Sequence, residues 1–358
     1  MRRLFFLLPG AVALLAGLDA ALLLLGLPAP VTAQRLADAH GPLLVLGFIG
    51  TLIALERAVA TRAAIAYLAP TLLGFGSLVT LTPVPLRVGQ AMVLAGMIAM
   101  LANYVPLWRR RREDAVLIQA IGAAMAVGAC VLWLAGLPLP VLVPWLAAFV
   151  ICTIGGERAE LARVTFAGEG ALRSVFAATA ALVLATPLTL LWSGIGYPAL
   201  GLSLLALVAV LVTHDIARRT IGGTGLVRFA AYCMLAGYAW LAVAGLVWLL
   251  TPSPTDGGSY DAAVHAVFLG FTMSMVMAHA PIILPAVLGI DLPFTRAMVV
   301  APVLLHSALV LRVAGDARGD DLLRQIGGVG NVAALVTMVV VLAATAVSAR
   351  RTEEALPA

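Results

Sequence analysis

Stretches of apolar residues long enough to cross a bilayer core, roughly 20 residues as a helix, recur from one end of this chain to the other. Lipid offers no water to backbone N–H and C=O groups. A chain patterned this way must therefore satisfy them internally, as transmembrane helices. The runs fall at 4–26, 39–57, 63–82, 88–108, 115–137, 138–156, 174–194, 197–217, 228–250, 262–282, 294–313 and 329–348. Turn-rich segments such as GLPAP, TPVP, GLPLP and TPSPTDGG punctuate them. Twelve spans leave no room for a sizeable soluble domain. The chain reads as one integral membrane domain, 1–358, an all-α polytopic transmembrane bundle. Composition agrees: 63% of the 358 residues are hydrophobic and 11% are charged, against about 25% charged in a soluble domain.

All 22 basic residues are arginine, and the net charge is +5. The arginines sit at span ends, so they speak for topology rather than for nucleic acid. With the N-terminus in the cytoplasm, Arg2, Arg3, Arg57, Arg62, Arg109 to Arg112, Arg158, Arg163, Arg173, Arg218, Arg219, Arg228, Arg296, Arg350 and Arg351 all fall inside. Arg35, Arg87, Arg312, Arg318 and Arg324 fall on or near the other side. The positive-inside rule thus places both termini in the cytoplasm, in a bacterial-type inner membrane. The opening run to Leu27 is longer than a signal-peptide core and reads as an uncleaved first span. Cys130, Cys152 and Cys233 lie singly in apolar runs, with no CxxC or CxxCH, and read as buried apolar residues. Asn103 and Tyr104 read as interface anchors.

Five histidines, His40, His214, His265, His279 and His306, all fall inside or at the edge of a span. An ionisable group there points to function, because its burial costs free energy, although a simple interhelical hydrogen bond is the plainer reading. Counting along the spans puts His40, His265 and His306 at one depth on the outer side. His279 and His214 fall near the inner face. His265 and His279 are fourteen residues apart, about 21 Å along an α-helix, a spacing similar to that of stacked haem ligands in cytochrome b proteins. Imidazole suits haem b and copper. His40, His265 and His306 are therefore the metal-ligand candidates, with His279 as an inner cofactor position. Asp261, four residues before His265, is a candidate to fix its ring. Secondary candidates are Asp19, Glu56, His214 and Met275. Asp19 could carry a proton or pair with an arginine. Met275 suits packing better than ligation. Pro281 and Pro285 predict a backbone break near the inner face.

Two internal echoes stand out. GFIGTLIALERA (Gly47 to Ala58) matches GFTMSMVMAHAP (Gly270 to Pro281) and sets Glu56 opposite His279. ERAVATR (Glu56 to Arg62) matches ERAELAR (Glu157 to Arg163). A candidate pseudo-repeat divides the chain into 1–172 and 173–358, and an ancient duplication would leave such echoes. Charge at every inner helix end would too.

HAVFLGFTMSMVMA (His265 to Ala278), then Leu288-Gly289 and LVLRVAG (Leu309 to Gly315), resembles the C-terminal region of NnrS-type membrane proteins. AHGPLLVLGF (Ala39 to Phe48) is similar to that family's histidine-rich entry to its second span. Here His40 stands alone where the family has paired histidines. LGIDLPFTR replaces the family's later histidine-bearing turn. The resemblance implies a membrane protein binding haem b and copper, linked to nitric oxide or metal stress, with a gaseous or small-molecule ligand. A weaker resemblance links the histidine-bearing helices to haem–copper oxidase subunits, whose adjacent-histidine copper motif is absent. The alternative reading from the residues is a twelve-span secondary transporter with histidine, aspartate and glutamate coupling groups. A third is an assembly protein whose histidines only pack. Enzymatic activity is left open.

Overall fold

The computed structural model describes residues 3–33, 35–162, 169–251 and 253–354. Arg2 and Arg163, both placed on the cytoplasmic side above, lie outside the described residues. Among those described there is no strand, and eleven helices are long and apolar enough to cross a membrane. They are α1 (Leu4–Leu24), α2 (His40–Thr61), α4 (Leu86–Arg111), α5 (Asp114–Leu134), α6 (Leu139–Ala162), α7 (Glu169–Leu191), α8 (Ser193–His214), α9 (Gly225–Leu250), α10 (Gly257–Leu288), α11 (Val300–Arg318) and α12 (Asp321–Glu354).

The span expected at 63–82 is the exception. The chain passes through a 3-10 turn, Ala64–Tyr67, into α3 (Leu68–Val79), an α-helix of 12 residues. At 1.5 Å per residue that is about 18 Å, short of a ~30 Å hydrocarbon core. Asn103 donates from Nδ2 to the Ala66 carbonyl at 3.1 Å, which fixes the turn. Asn103 is 7% exposed and Tyr104 1%. Both face the bundle interior, which corrects their reading as interface anchors. α10 also departs from expectation. It continues through Pro281 and Pro285 to Leu288 and ends on Gly289 at φ 66°, a left-handed position suited to glycine. The prolines remove two donors without stopping the helix.

Sequential helices pack as antiparallel neighbours, and α2 touches α10 across the bundle. Arg3 donates to the Val287 carbonyl at 3.1 Å, so the start of α1 and the end of α10 share one face, called here the terminal face. Gln325 donates to the Leu25 carbonyl at 3.0 Å, joining the end of α1 to the start of α12 on the far face. Small residues let backbones meet, as expected where lipid gives no hydrophobic drive between helices. A Cβ on Gly201 of α8 would lie 2.4 Å from the Leu249 nitrogen of α9. Side-chain amides add interhelical bonds, such as Gln90 to the Trp133 carbonyl (3.2 Å) and Asn331 to the Leu305 carbonyl (3.0 Å). The three cysteines are buried and free.

Candidate functional site: two ionisable clusters and a cavity

The first echo has a structural counterpart. α2 is π-helical over Leu43–Gly50, and α10 is π-helical over Ala266–Met273. Each segment is eight residues long, begins four residues before the Gly-Phe pair and ends three after the glycine. Each gives way to α-helix at a hydroxyl residue, Thr51 or Ser274. π-Helix is rare and concentrates at functional sites. α2 and α10 thus carry the same interruption at matching positions. The π segment in α10 also means that a straight α-helical projection from His265 to His279 does not describe their relative direction.

At the far-face ends of these helices lies the first cluster. His40 donates from Nδ1 to the Gly17 carbonyl of α1 at 2.9 Å. His265 donates from Nδ1 to the Asp261 carbonyl at 2.8 Å, with an Asp261 carboxylate oxygen 3.3 Å away. The carboxylate is held bidentately by Arg312 of α11, at 2.6 and 2.7 Å. His265, Arg312 and Asp261 all lie within electrostatic reach of His40. The two rings therefore share one tautomer, with Nδ1 fixed and Nε2 free of hydrogen bonds among the described residues.

His306 does not join them. Its Nδ1 accepts the Trp240 indole N–H at 3.0 Å, and Nε2 faces the Ser274 hydroxyl at 3.4 Å. Ser274 is nine residues beyond His265, roughly 13 Å along the helix. The residue of α11 at the level of His265 is Arg312. On a span of 294–313, His306 falls in the outer half. The helical stretch runs from Arg296 to Arg318, which puts His306 near its middle.

A second cluster lies toward the terminal face, where the two Glu-Arg echoes meet. Arg57 of α2 contacts Glu56, reaches Glu157 of α6 at 3.4 Å, and donates to Gln119 Oε1 of α5 at 2.9 Å. Arg158 grips Asp215 with two bonds of 2.9 Å. The Tyr238 hydroxyl and the Ala217 N–H donate to the same carboxylate, at 2.6 and 2.8 Å. His279 donates from Nδ1 to the Met275 carbonyl at 2.7 Å, and its Nε2 faces Arg158 at 3.4 Å. That nitrogen is occupied by a cation.

Between α2 and α10 lies a cavity of about 210 Å³. Its walls are apolar, with Phe48 and Ile53 from α2 and Met275 from α10, and further walls from α1 and α12. Its ionisable lining is Glu56, Glu157 and His279. The sequence alignment that paired Glu56 with His279 thus corresponds to two side chains facing one space.

The remaining candidates sit elsewhere. Asp19 accepts the Val31 N–H at 3.1 Å and has no arginine partner among the described residues. His214 is exposed at the end of α8, bonded to the Val210 carbonyl at 2.9 Å. Its neighbour Asp215 is the buried ionisable group, 4% exposed. Arg57, Glu157, Arg158, Asp215 and Arg312 join the two clusters only through the fold. The signal was available in Arg57 and Arg158, charges seated inside apolar helices beside an acid, but the positive-inside rule absorbed it.

Among the described residues, no three histidine, cysteine or acidic side chains converge as they would around a metal ion. The chemistry of the far-face pair suits a metal in one respect. Ligating histidines are commonly fixed through the other ring nitrogen, as His40 and His265 are. The other two candidates, His279 and His306, have both ring nitrogens engaged. The chain matches, over residues 3–347, the model of a family described as a domain of unknown function (DUF8744), and it belongs to that family. No curated protein and no solved structure matches it.

Proposed function

We propose, for this member of a family without an assigned activity, that the protein is a multi-pass membrane carrier for a small, largely apolar solute. The carrying observation is the cavity between α2 and α10, apolar on its walls and ionisable at one end, flanked by two helices with the same π-helical interruption. Transporter sites form between repeats, near interrupted helices that can rearrange around them. The arginine distribution supports both termini in the cytoplasm, with the cavity's ionisable end toward that side. Purified protein in proteoliposomes is expected to accumulate a labelled amphiphilic solute. Glu56→Gln and Glu157→Gln should lower that uptake at least tenfold. Absence of uptake for anionic, neutral and cationic amphiphiles alike would remove the carrier reading.

A second reading keeps the metal. It rests on His40 and His265, whose Nε2 atoms are free and whose rings are held by the Gly17 and Asp261 carbonyls. Copper or haem b bound there would supply redox or gas-ligand chemistry, as the resemblance to NnrS proteins implies. The chain's own part would be to hold both rings in one tautomer and to fix Asp261 through Arg312. Oxidised and reduced absorption spectra with metal analysis test it. Bound metal should be lost in His40→Ala and His265→Ala and kept in His279→Ala and His306→Ala. Loss in all four, or in neither of the first two, would reject this assignment.

A further inference from the structure

The Glu56–Arg57–Glu157 group carries one charge too many. Two carboxylates face one guanidinium, and that guanidinium also serves Gln119. The nearby cation, Arg158, is committed to Asp215 through two hydrogen bonds, so that pair is neutral by itself. Among the described residues, the other ionisable neighbours do not restore balance. Glu160 is a further acid near Glu157 and takes the Gln119 amide at 3.5 Å. Arg110 of α4 is turned away, onto the Ala60 and Thr61 carbonyls at 3.2 and 2.9 Å. Tyr104 and Tyr238 are buried phenols that bring no cation, and His279 faces the Arg158 cation. An uncompensated carboxylate in an apolar cavity wall must bind a cation or a proton, because low dielectric makes an unpaired charge costly.

Two further polar atoms at the same place lack partners among the described residues. Arg57 Nε and the Tyr104 hydroxyl are buried without a hydrogen bond, on residues 9% and 1% exposed. Tyr104 lies within electrostatic reach of Arg57, Glu56 and Glu157. The group is thus incompletely satisfied and open to the cavity, through Glu56 and Glu157, on one side.

We propose that Glu56 and Glu157 form a single site that binds either one proton or one lipophilic organic cation held in the adjoining cavity. The apolar walls take the body of the cation and the carboxylate pair takes its charge. On entry of the cation the shared proton leaves to water, so the two compete. The substrate class and the exchange with protons rest on the carrier reading; the binding site does not.

Benzyltrimethylammonium is a suitable probe, because its charge does not change with pH. Its binding to the detergent-purified full chain is measured by equilibrium dialysis across pH 5 to 9, with neopentylbenzene as the uncharged counterpart. One-for-one competition weakens cation binding by up to tenfold per pH unit below the point at which the pair takes its proton, and leaves the neutral compound unaffected. Infrared difference spectra over the same range should show one carboxylic C=O band that titrates in the wild type and is missing in Glu157→Gln and Glu56→Gln. Those variants should bind the cation at least tenfold more weakly and without pH dependence. Cation binding that is absent or independent of pH in the wild type overturns the proposal, and needs no variant to fold. So does equal binding by wild type and both variants. Binding as expected without uptake in proteoliposomes would leave the site standing and end the carrier reading.

Discussion

Arg158 and Asp215 form the most buried ion pair described, with side chains 6% and 2% exposed. Its two guanidinium bonds, the Tyr238 hydroxyl and the Ala217 N–H leave the carboxylate fully served. Removing one partner of such a pair strands the other, at a cost of about 3–5 kcal/mol. Asp215→Ala should therefore lower thermal stability in detergent by that amount. The double variant with Arg158→Met should recover part of the loss, since no lone charge remains. Equal losses in the single and double variants would show that the pair contributes nothing as a unit. At this scale the sequence pointed one residue away. His214 stands out as a histidine, but its ring is exposed at the end of α8 and bonds the Val210 carbonyl, while Asp215 turns inward.

The π segments in α2 and α10 are the elements that distinguish this bundle from a stack of regular helices. In α10 the segment packs against α9 at a glycine: a Cβ on Gly270 would lie 2.4 Å from the Trp240 Cβ. Gly270→Ala is expected to cost about 1–3 kcal/mol, the range for overpacking a filled interface. The same step should move Trp240, and with it the bond to His306. Gly155 of α6 is the internal comparison, because a Cβ there would meet nothing within 4 Å. Gly155→Ala should be neutral or stabilising by up to about 1 kcal/mol. Thermal unfolding of the two variants side by side checks the contrast, and equal behaviour would contradict the packing. The pairing of these elements was legible as the Gly-Phe echo. The π geometry was not, since apolar sequence alone does not say whether a turn closes on the fourth or the fifth residue.

For the whole molecule, the arginine bias makes a topological prediction that the helices alone cannot carry. A reporter active only in the cytoplasm, fused after Arg351, should be active, and one placed in the loop near Asp256 should not be. A cysteine introduced at exposed Arg62 should be shielded from an impermeant thiol reagent in intact cells, and one at exposed Arg87 labelled. The reverse pattern would invert the molecule and carry the Glu56–Glu157 end of the cavity to the other side. The eleven long apolar helices do not depend on that outcome. The short α3 bears on it, because a helix of about 18 Å crosses only with help from its flanking turns.

The class of structure is legible in the residues: apolar runs repeated at bilayer length permit little else than a helical membrane bundle, and their boundaries follow from where charge and turn residues interrupt them. The Gly-Phe echo also sets Glu56 of α2 and His279 of α10 in matching positions. Which ionisable groups meet is settled by packing. His40 joins His265 and Arg312 rather than His306, and Arg57 joins Glu157 across 100 residues of chain. The reason is geometric: depth along a span can be counted from sequence, but the direction a side chain faces depends on helix rotation and on two π segments. Those are set by packing against glycines and aromatic rings on other helices.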